Sequence, residues 1–119
     1  MPIKVIVVDD HAVIREGLEM LLQSDPDIKV IATCKTGIDA ISEIRKLKPD
    51  VVVMDISMPE MDGIEATRRI KTDLPNVRVI GLSMHDDEQL IGAMQQAGAE
   101  VVLRKTISTA EMVKAIYGR

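Results

Sequence analysis

Polar side chains that can bind phosphate or a metal ion directly follow four short, largely apolar runs of the chain. Asp9 and Asp10 follow residues 5–8, Asp55 follows residues 51–54, Ser83 follows residues 79–82, and Lys105 follows residues 101–104. Carboxylate oxygens are ligands for Mg²⁺, and cations and hydroxyl groups can neutralise or hold the oxygens of a phosphoryl group. If these side chains meet, they suit a divalent cation and a phosphoryl group together.

The runs that precede these side chains are typical of buried parallel strands, because they are short and rich in β-branched residues. Strands predicted over residues 5–8, 28–33, 51–54, 77–82 and 101–103 alternate with five helices, predicted over 11–23, 36–48, 64–74, 86–97 and from 108 onward. Strict alternation predicts an α/β fold, a doubly wound five-stranded parallel sheet with helices on both faces and strand order 2-1-3-4-5. The carboxyl ends of such strands share one edge, so we expect the five polar side chains to converge there.

Composition limits the class of protein. The 119 residues suit one domain, residues 1–119, with a core of its own. A net charge of −4, a single Tyr and no Phe or Trp argue against nucleic-acid binding by this segment. No apolar run has the length of a membrane span, so no membrane contact is expected. The single Cys34 cannot form an internal disulfide, and we expect a reducing, cytoplasmic location.

Three carboxylates at one sheet edge require a cation. Two like charges about 4 Å apart repel by about 1 kcal/mol in water and about 4 kcal/mol near a protein surface. Lys105 is one candidate for the offsetting charge, and Mg²⁺ is the other. A carboxylate in such a site can also act as a nucleophile towards phosphorus and form an aspartyl phosphate. Taken singly, each aspartate would more often be a helix cap, and the joint placement is what favours chemistry.

Four motifs carry a resemblance to a known family. They are Val7-Val8-Asp9-Asp10-His11, Met54-Asp55-Ile56-Ser57-Met58-Pro59-Glu60-Met61-Asp62-Gly63, Leu82-Ser83-Met84 and Leu103-Arg104-Lys105. Over essentially its whole length the chain resembles the receiver domain of bacterial two-component response regulators, which has a flavodoxin-like fold. The residues that follow Ser83 most resemble the NarL/FixJ branch of these regulators.

The resemblance assigns an acceptor and a metal site. It implies that Asp55 accepts a phosphoryl group from the phosphohistidine of a sensor histidine kinase, with Mg²⁺ as cofactor. Asp10 and Asp55 would bind Mg²⁺ directly, together with the backbone carbonyl of Ser57. Asp9 would contribute to the metal site through water, or would hold Lys105.

The same resemblance implies how the signal leaves the domain. Ser83 would move to the phosphoryl oxygens, and Lys105 would pair with them. The protein would be a switch rather than an enzyme, catalysing only its own phosphorylation and dephosphorylation. Its output would be transcription, through contact with DNA by a C-terminal helix-turn-helix domain outside this segment, so we interpret the chain as part of a longer protein. The resemblance also allows a homodimer on phosphorylation.

Some positions depart from the family pattern or have two interpretations. Val102 stands where an aromatic residue is common, which leaves the switching mechanism open, and we hypothesise that Met84 slows hydrolysis by narrowing the approach to the site. Because Mg²⁺ prefers oxygen, we interpret His11 as a loop residue rather than a ligand. Pro59 is expected to fix φ in the loop after Asp55, and Gly63 to permit a tight turn.

Parts of the sequence are also compatible with other functions. A stand-alone receiver that acts through protein–protein contacts remains an alternative. An aspartyl-phosphate phosphohydrolase is less consistent with the sequence, because those enzymes usually carry Asp-x-Asp after the first strand and need a substrate cap. A receiver that only binds partners would lack site residues, whereas all five are present. A nucleotide-binding protein would need a glycine-rich loop after the first strand, which is absent from the sequence.

Overall fold

Strands and helices alternate along the chain as predicted. The computed structural model describes residues 1–58 and 60–118, so Pro59 and its predicted φ lie outside the described residues. The strands of the described part are β1 (Ile3–Val8), β2 (Ile28–Cys34), β3 (Val51–Asp55), β4 (Arg78–Ser83) and β5 (Val101–Arg104). The helices are α1 (Ala12–Gln23), α2 (Gly37–Leu47), α3 (Gly63–Asp73), α4 (Glu88–Ala97) and α5 (Thr109–Tyr117).

The strands form one parallel sheet in the order β2-β1-β3-β4-β5, which confirms the predicted topology. The register of the strands determines which strand ends lie side by side at the site. Val8 at the end of β1 pairs with Met54 of β3, and Ser83 at the end of β4 pairs with Arg104 of β5. The side chains that follow these pairs therefore lie at the same edge of the sheet.

Helices cover both faces of the sheet, because alternate strand residues point to opposite sides. Ile6 and Val8 belong to a core that α2, α3 and α4 cover, whereas Val5 and Val7 belong to a core that α1 and α5 cover. All five residues of β3 are buried. Burial of each large aliphatic side chain contributes about 1.5–3 kcal/mol, so the central strands are a rigid support for the residues at their ends.

Side chains at the helix ends define where the helices begin and stop. Asp62 accepts a hydrogen bond from the Glu65 N–H (2.9 Å) at the start of α3, and Ser108 accepts one from the Glu111 N–H (3.2 Å) at the start of α5, as a capping box predicts. Gly98, at φ 127°, ends α4. The longest helix, α1, has 12 residues, and no helix in the described part is long and apolar enough to cross a membrane.

Candidate functional site

Lys105 joins two buried carboxylates at the carboxyl edge of the sheet. Its Nζ lies 2.8 Å from Asp9 Oδ2 and 3.0 Å from Asp55 Oδ2. The side chains of Lys105, Asp9 and Asp55 are 1%, 0% and 3% exposed, respectively. The structure therefore brings these three residues together as the sequence predicts. Because two buried carboxylates face one ammonium, the group carries an excess of negative charge when both are ionised.

Asp9 is held in place through its backbone and one of its carboxylate oxygens. Its N–H donates to the carbonyl of Cys34 on the neighbouring strand (3.0 Å). Arg15, one turn into α1, donates from Nη1 to the Asp9 carbonyl (2.8 Å), and the His11 N–H donates to Asp9 Oδ1 (2.8 Å). These bonds leave Asp9 Oδ2 directed towards Lys105.

Asp55 is the last residue of β3, and its two oxygens have different surroundings. Oδ1 accepts a hydrogen bond from the Ser57 N–H (3.2 Å). Within the described residues, Oδ2 of Asp55 and Oδ2 of Asp9 have no well-directed hydrogen-bond partner, although both are at ion-pair distance from Lys105. Burial raises the pKa of Asp55 to about 7; contact with Lys105 opposes that rise, and the nearby charge of Asp9 adds to it.

A cation could be held where the carboxylates meet. One ligand atom from each of Asp9, Asp10, His11 and Asp55 lies within 4.8 Å of the others. Asp10 is more open than Asp9, with 30% of its side chain exposed, so it faces the mouth of the group. An oxygen-rich set with two buried oxygens that lack directed hydrogen bonds fits Mg²⁺. Ser57 lies beside this set, and the ligand role of its backbone carbonyl stays a prediction.

The ring of His11 lies at the edge of the acidic group, whereas the sequence favoured a loop residue without a role there. His11 does lie in the loop between β1 and α1, as expected. Its Nδ1, however, is 3.1 Å from Asp9 Oδ1, 3.3 Å from Asp10 Oδ1 and 3.0 Å from Lys105 Nζ. Its position next to the two aspartates is a sequence signal for this contact, but the preference of Mg²⁺ for oxygen argues against a ligand role.

Ser83 lies at the same edge, but its hydroxyl is engaged by the loop between β4 and α4. Its Oγ donates to the His85 carbonyl (2.5 Å) and accepts from the His85 N–H (3.1 Å). Asp55 and Lys105 line a cleft with this loop, and Met84, which is 49% exposed, lies on its wall. In this structure Ser83 therefore lies at the same edge as Asp55, but its hydroxyl is bonded to the loop between β4 and α4.

Gly63 is required here for a reason other than the predicted tight turn. It is the first residue of α3, and the left-handed backbone of this loop occurs instead at Glu60, with φ 69°. A Cβ on Gly63 would lie 2.0 Å from the Asp55 carbonyl oxygen. The Gly63 N–H donates to the Ile56 carbonyl (2.7 Å), which brings the two backbones close. The close approach of this backbone to Asp55, rather than a turn, therefore excludes any side chain at residue 63.

Comparison with known proteins identifies the family. The protein-family model described as "Response regulator receiver domain" matches residues 5–117 of the chain. The chain is 40% identical to the response regulator protein VraR of Staphylococcus saprophyticus over 98% of the chain and 56% of that protein. It is 41% identical to the transcriptional regulatory protein LnrK of Bacillus subtilis over 96% of the chain and 52% of that protein.

Solved structures agree with this family. A LuxR-family two-component response regulator from Aurantimonas sp. SI85-9A1 superposes with a TM-score of 0.92 at 33% identity, over 99% of this chain and 84% of that one. The chain spans about half the length of the curated relatives it matches. It belongs to the response regulator receiver domain family, and its relatives are response regulators of the NarL/LuxR type.

Proposed function

We propose that this chain is a phosphorylation-dependent switch of a two-component system, with Asp55 as the acceptor of a phosphoryl group from a sensor histidine kinase. The observation that carries the proposal is the buried Asp55 Oδ2 beside the ammonium of Lys105, at the end of the central strand. A carboxylate held next to a fixed cation is suited to phosphoryl transfer, which depends mainly on positioning and charge neutralisation.

The transfer exchanges one bond to phosphorus for another. A carboxylate oxygen of Asp55 forms the new P–O bond while the N–P bond of the kinase phosphohistidine breaks, and the departing imidazole keeps the electron pair and takes up a proton. Lys105 neutralises one phosphoryl oxygen from the position that it already holds. Mg²⁺ bound by Asp10, Asp55 and the Ser57 carbonyl, with Asp9 acting through water, would supply further positive charge to the phosphoryl oxygens.

The output follows from the surroundings of Ser83. Its hydroxyl would leave the His85 carbonyl for a phosphoryl oxygen and so alter the loop that leads into α4. The face formed by α4, β5 and α5 would then present the signal, either to a homodimer partner or to a C-terminal DNA-binding domain that controls transcription. A switch of this kind catalyses only its own phosphorylation and dephosphorylation. Its expected cytoplasmic location stays a prediction.

Intact-mass measurement tests the acceptor. We expect the purified chain, incubated with acetyl phosphate and Mg²⁺, to gain one phosphoryl group, and the Asp55→Asn variant to gain none. Asp39→Asn, which changes an exposed aspartate in α2, is the matched control and should be modified like the wild type. Lys105→Ala should lower the yield. Equal modification of Asp55→Asn, or a folded wild type that binds Mg²⁺ and is never modified, would overturn the proposal.

A further inference from the structure

We propose that His11 is a nitrogen ligand of the metal site, binding through Nδ1, and that it gives the site a preference for borderline cations such as Co²⁺ that an all-oxygen pocket would lack. The inference rests on the metal site of the proposed function and adds one residue to it. The described chain holds His11 at the opening of the acidic group, with 52% of its side chain exposed.

The spacing of the atoms supports this role. Neighbouring ligands of an octahedral cation, at bond lengths of about 2.1 Å, lie about 3.0 Å apart. His11 Nδ1 is 3.1 Å from Asp9 Oδ1 and 3.3 Å from Asp10 Oδ1. The separation of His11 Nδ1 from Asp10 Oδ1, a direct ligand in the proposed function, is therefore close to that of adjacent ligands of one small cation, and one ligand atom from each of Asp9, Asp10, His11 and Asp55 lies within 4.8 Å of the others.

The hydrogen-bonding capacity of the neighbours points the same way. The ammonium of Lys105 can only donate and the carboxylate oxygens of Asp9 and Asp10 can only accept, so His11 Nδ1 lies 3.0 Å from a donor and 3.1 and 3.3 Å from two acceptors. One ring nitrogen cannot satisfy both kinds of neighbour in either tautomer. A cation bound by Nδ1 and the carboxylate oxygens would satisfy the acceptors and leave Lys105 to Asp9 and Asp55.

The surrounding groups allow the exchange that ligation requires. To bind a metal, His11 Nδ1 must give up its contact with Lys105, which retains its two contacts with Asp9 and Asp55. The His11 N–H bond to Asp9 Oδ1 (2.8 Å) keeps the loop in place while the ring turns.

Ligand type predicts the consequence for selectivity. Imidazole nitrogen suits later first-row metals, whereas carboxylate, carbonyl and water oxygens suit Mg²⁺. A site with His11 should therefore gain affinity for Co²⁺ and little or none for Mg²⁺.

Calorimetric titration with Co²⁺ and with Mg²⁺ compares the wild type, His11→Asn and the control His85→Asn, which changes the only other histidine of the chain. We expect His11→Asn to weaken Co²⁺ binding about tenfold or more and Mg²⁺ binding by less than about threefold. His85→Asn should leave both affinities unchanged. Electron spin-echo modulation of the Mn²⁺-loaded wild type should show a directly bound nitrogen that disappears in His11→Asn and persists in His85→Asn.

Two results would overturn the inference. One is an equal change of Co²⁺ and Mg²⁺ affinities in His11→Asn, including a tightening of both, which would mean that the ring acts as a competing cation. The other is the absence of the nitrogen signal in the wild type. Either would leave phosphorylation of Asp55 intact in the mass assay, whereas failure of the proposed function would appear as a folded, Mg²⁺-bound wild type that stays unmodified.

Discussion

Replacing Asp55 by Asn should make the metal-free chain more stable at neutral and alkaline pH. Two buried carboxylates share the single ammonium of Lys105, so ionisation of both leaves a net negative charge away from water. Asp55→Asn keeps the shape of the side chain and leaves Asp9 and Lys105 as a balanced pair. Removal of the surplus charge outweighs the lost contact, because a buried charge without full compensation is costly.

The magnitude follows from the pKa of Asp55, which folding raises from 3.8 to about 7. This rise of the Asp55 pKa can change the free energy of unfolding by at most about 4 kcal/mol. Exposed neighbours such as His11 and Ser57 admit water to the opening of the site, which weakens the effect of burial. We therefore expect Asp55→Asn to raise the free energy of unfolding by about 2 kcal/mol. The folded chain holds this proton more tightly than the unfolded chain, so the wild type loses stability as the pH rises from about 4 to about 7.

Urea unfolding followed by circular dichroism measures the effect, since the chain has no Trp. With metal removed by chelation, the advantage of Asp55→Asn over the wild type should grow from pH 4 to pH 7 and level off above that. Asp39→Asn should show no such trend, and saturating Mg²⁺ should reduce the advantage by stabilising the wild type selectively. A wild type as stable as Asp55→Asn at pH 8, or a difference independent of pH, would refute the charge argument.

Two further substitutions test the support and the opening of the site. Gly63→Ala should destabilise the fold by about 3 kcal/mol in urea unfolding, because the added Cβ would lie 2.0 Å from the Asp55 carbonyl oxygen. Gly17→Ala is the control, because a Cβ at this position in α1 would have nothing within 4 Å, and it should stabilise the fold by about 0.5–1 kcal/mol. Equal effects of the two substitutions would contradict the steric explanation. Met84→Ala should shorten the lifetime of the phosphorylated state, measured by loss of the mass increment, and an unchanged lifetime would rule out a shielding role for Met84.

The sheet and its order were predictable because buried parallel strands have a distinctive composition and the polar residues follow them directly. The boundaries of the helices and strands were less predictable. The helix predicted from Asp86 begins at Glu88, because the side chain of Asp87 accepts hydrogen bonds from the N–H groups of Gln89 (3.0 Å) and Leu90 (3.2 Å). Two adjacent aspartates can each cap a helix, and only tertiary packing selects between them.

Within the site, the sequence predicted which strand ends meet but not how individual groups are directed. Asp9, Asp55 and Lys105 meet because strand order and register are set by the core. The contact of His11 with Lys105 joins residues far apart in sequence, and the absence of space at Gly63 depends on how the loop after Asp55 folds back. These two contacts could therefore be identified only from the fold.

Val102 replaces the aromatic residue common in this family, and the structure shows what occupies that region. A Cβ on Gly81 would lie 3.1 Å from Val102 Cγ2 and 3.2 Å from Met94 Cγ, so Val102 packs against β4 close to α4. A short β-branched side chain in such a place has few rotamers and no long arm to swing. Coupling between Asp55 and α4 would therefore run through another group.

We propose Ser83 as that group, since its hydroxyl bonds both backbone groups of His85, two residues before the Asp87 cap of α4. We expect phosphorylation to shift the amide resonances of residues 84–90 in the wild type and in Val102→Ala, because the hydroxyl leaves the His85 carbonyl in both. In Ser83→Ala the acceptor should still be modified while these amides stay largely in place. Nitrogen–proton correlation spectra with acetyl phosphate and Mg²⁺ measure the shifts, and intact mass confirms equal modification. Wild-type shifts in Ser83→Ala, or their loss in Val102→Ala, would place the coupling outside the β4–α4 loop.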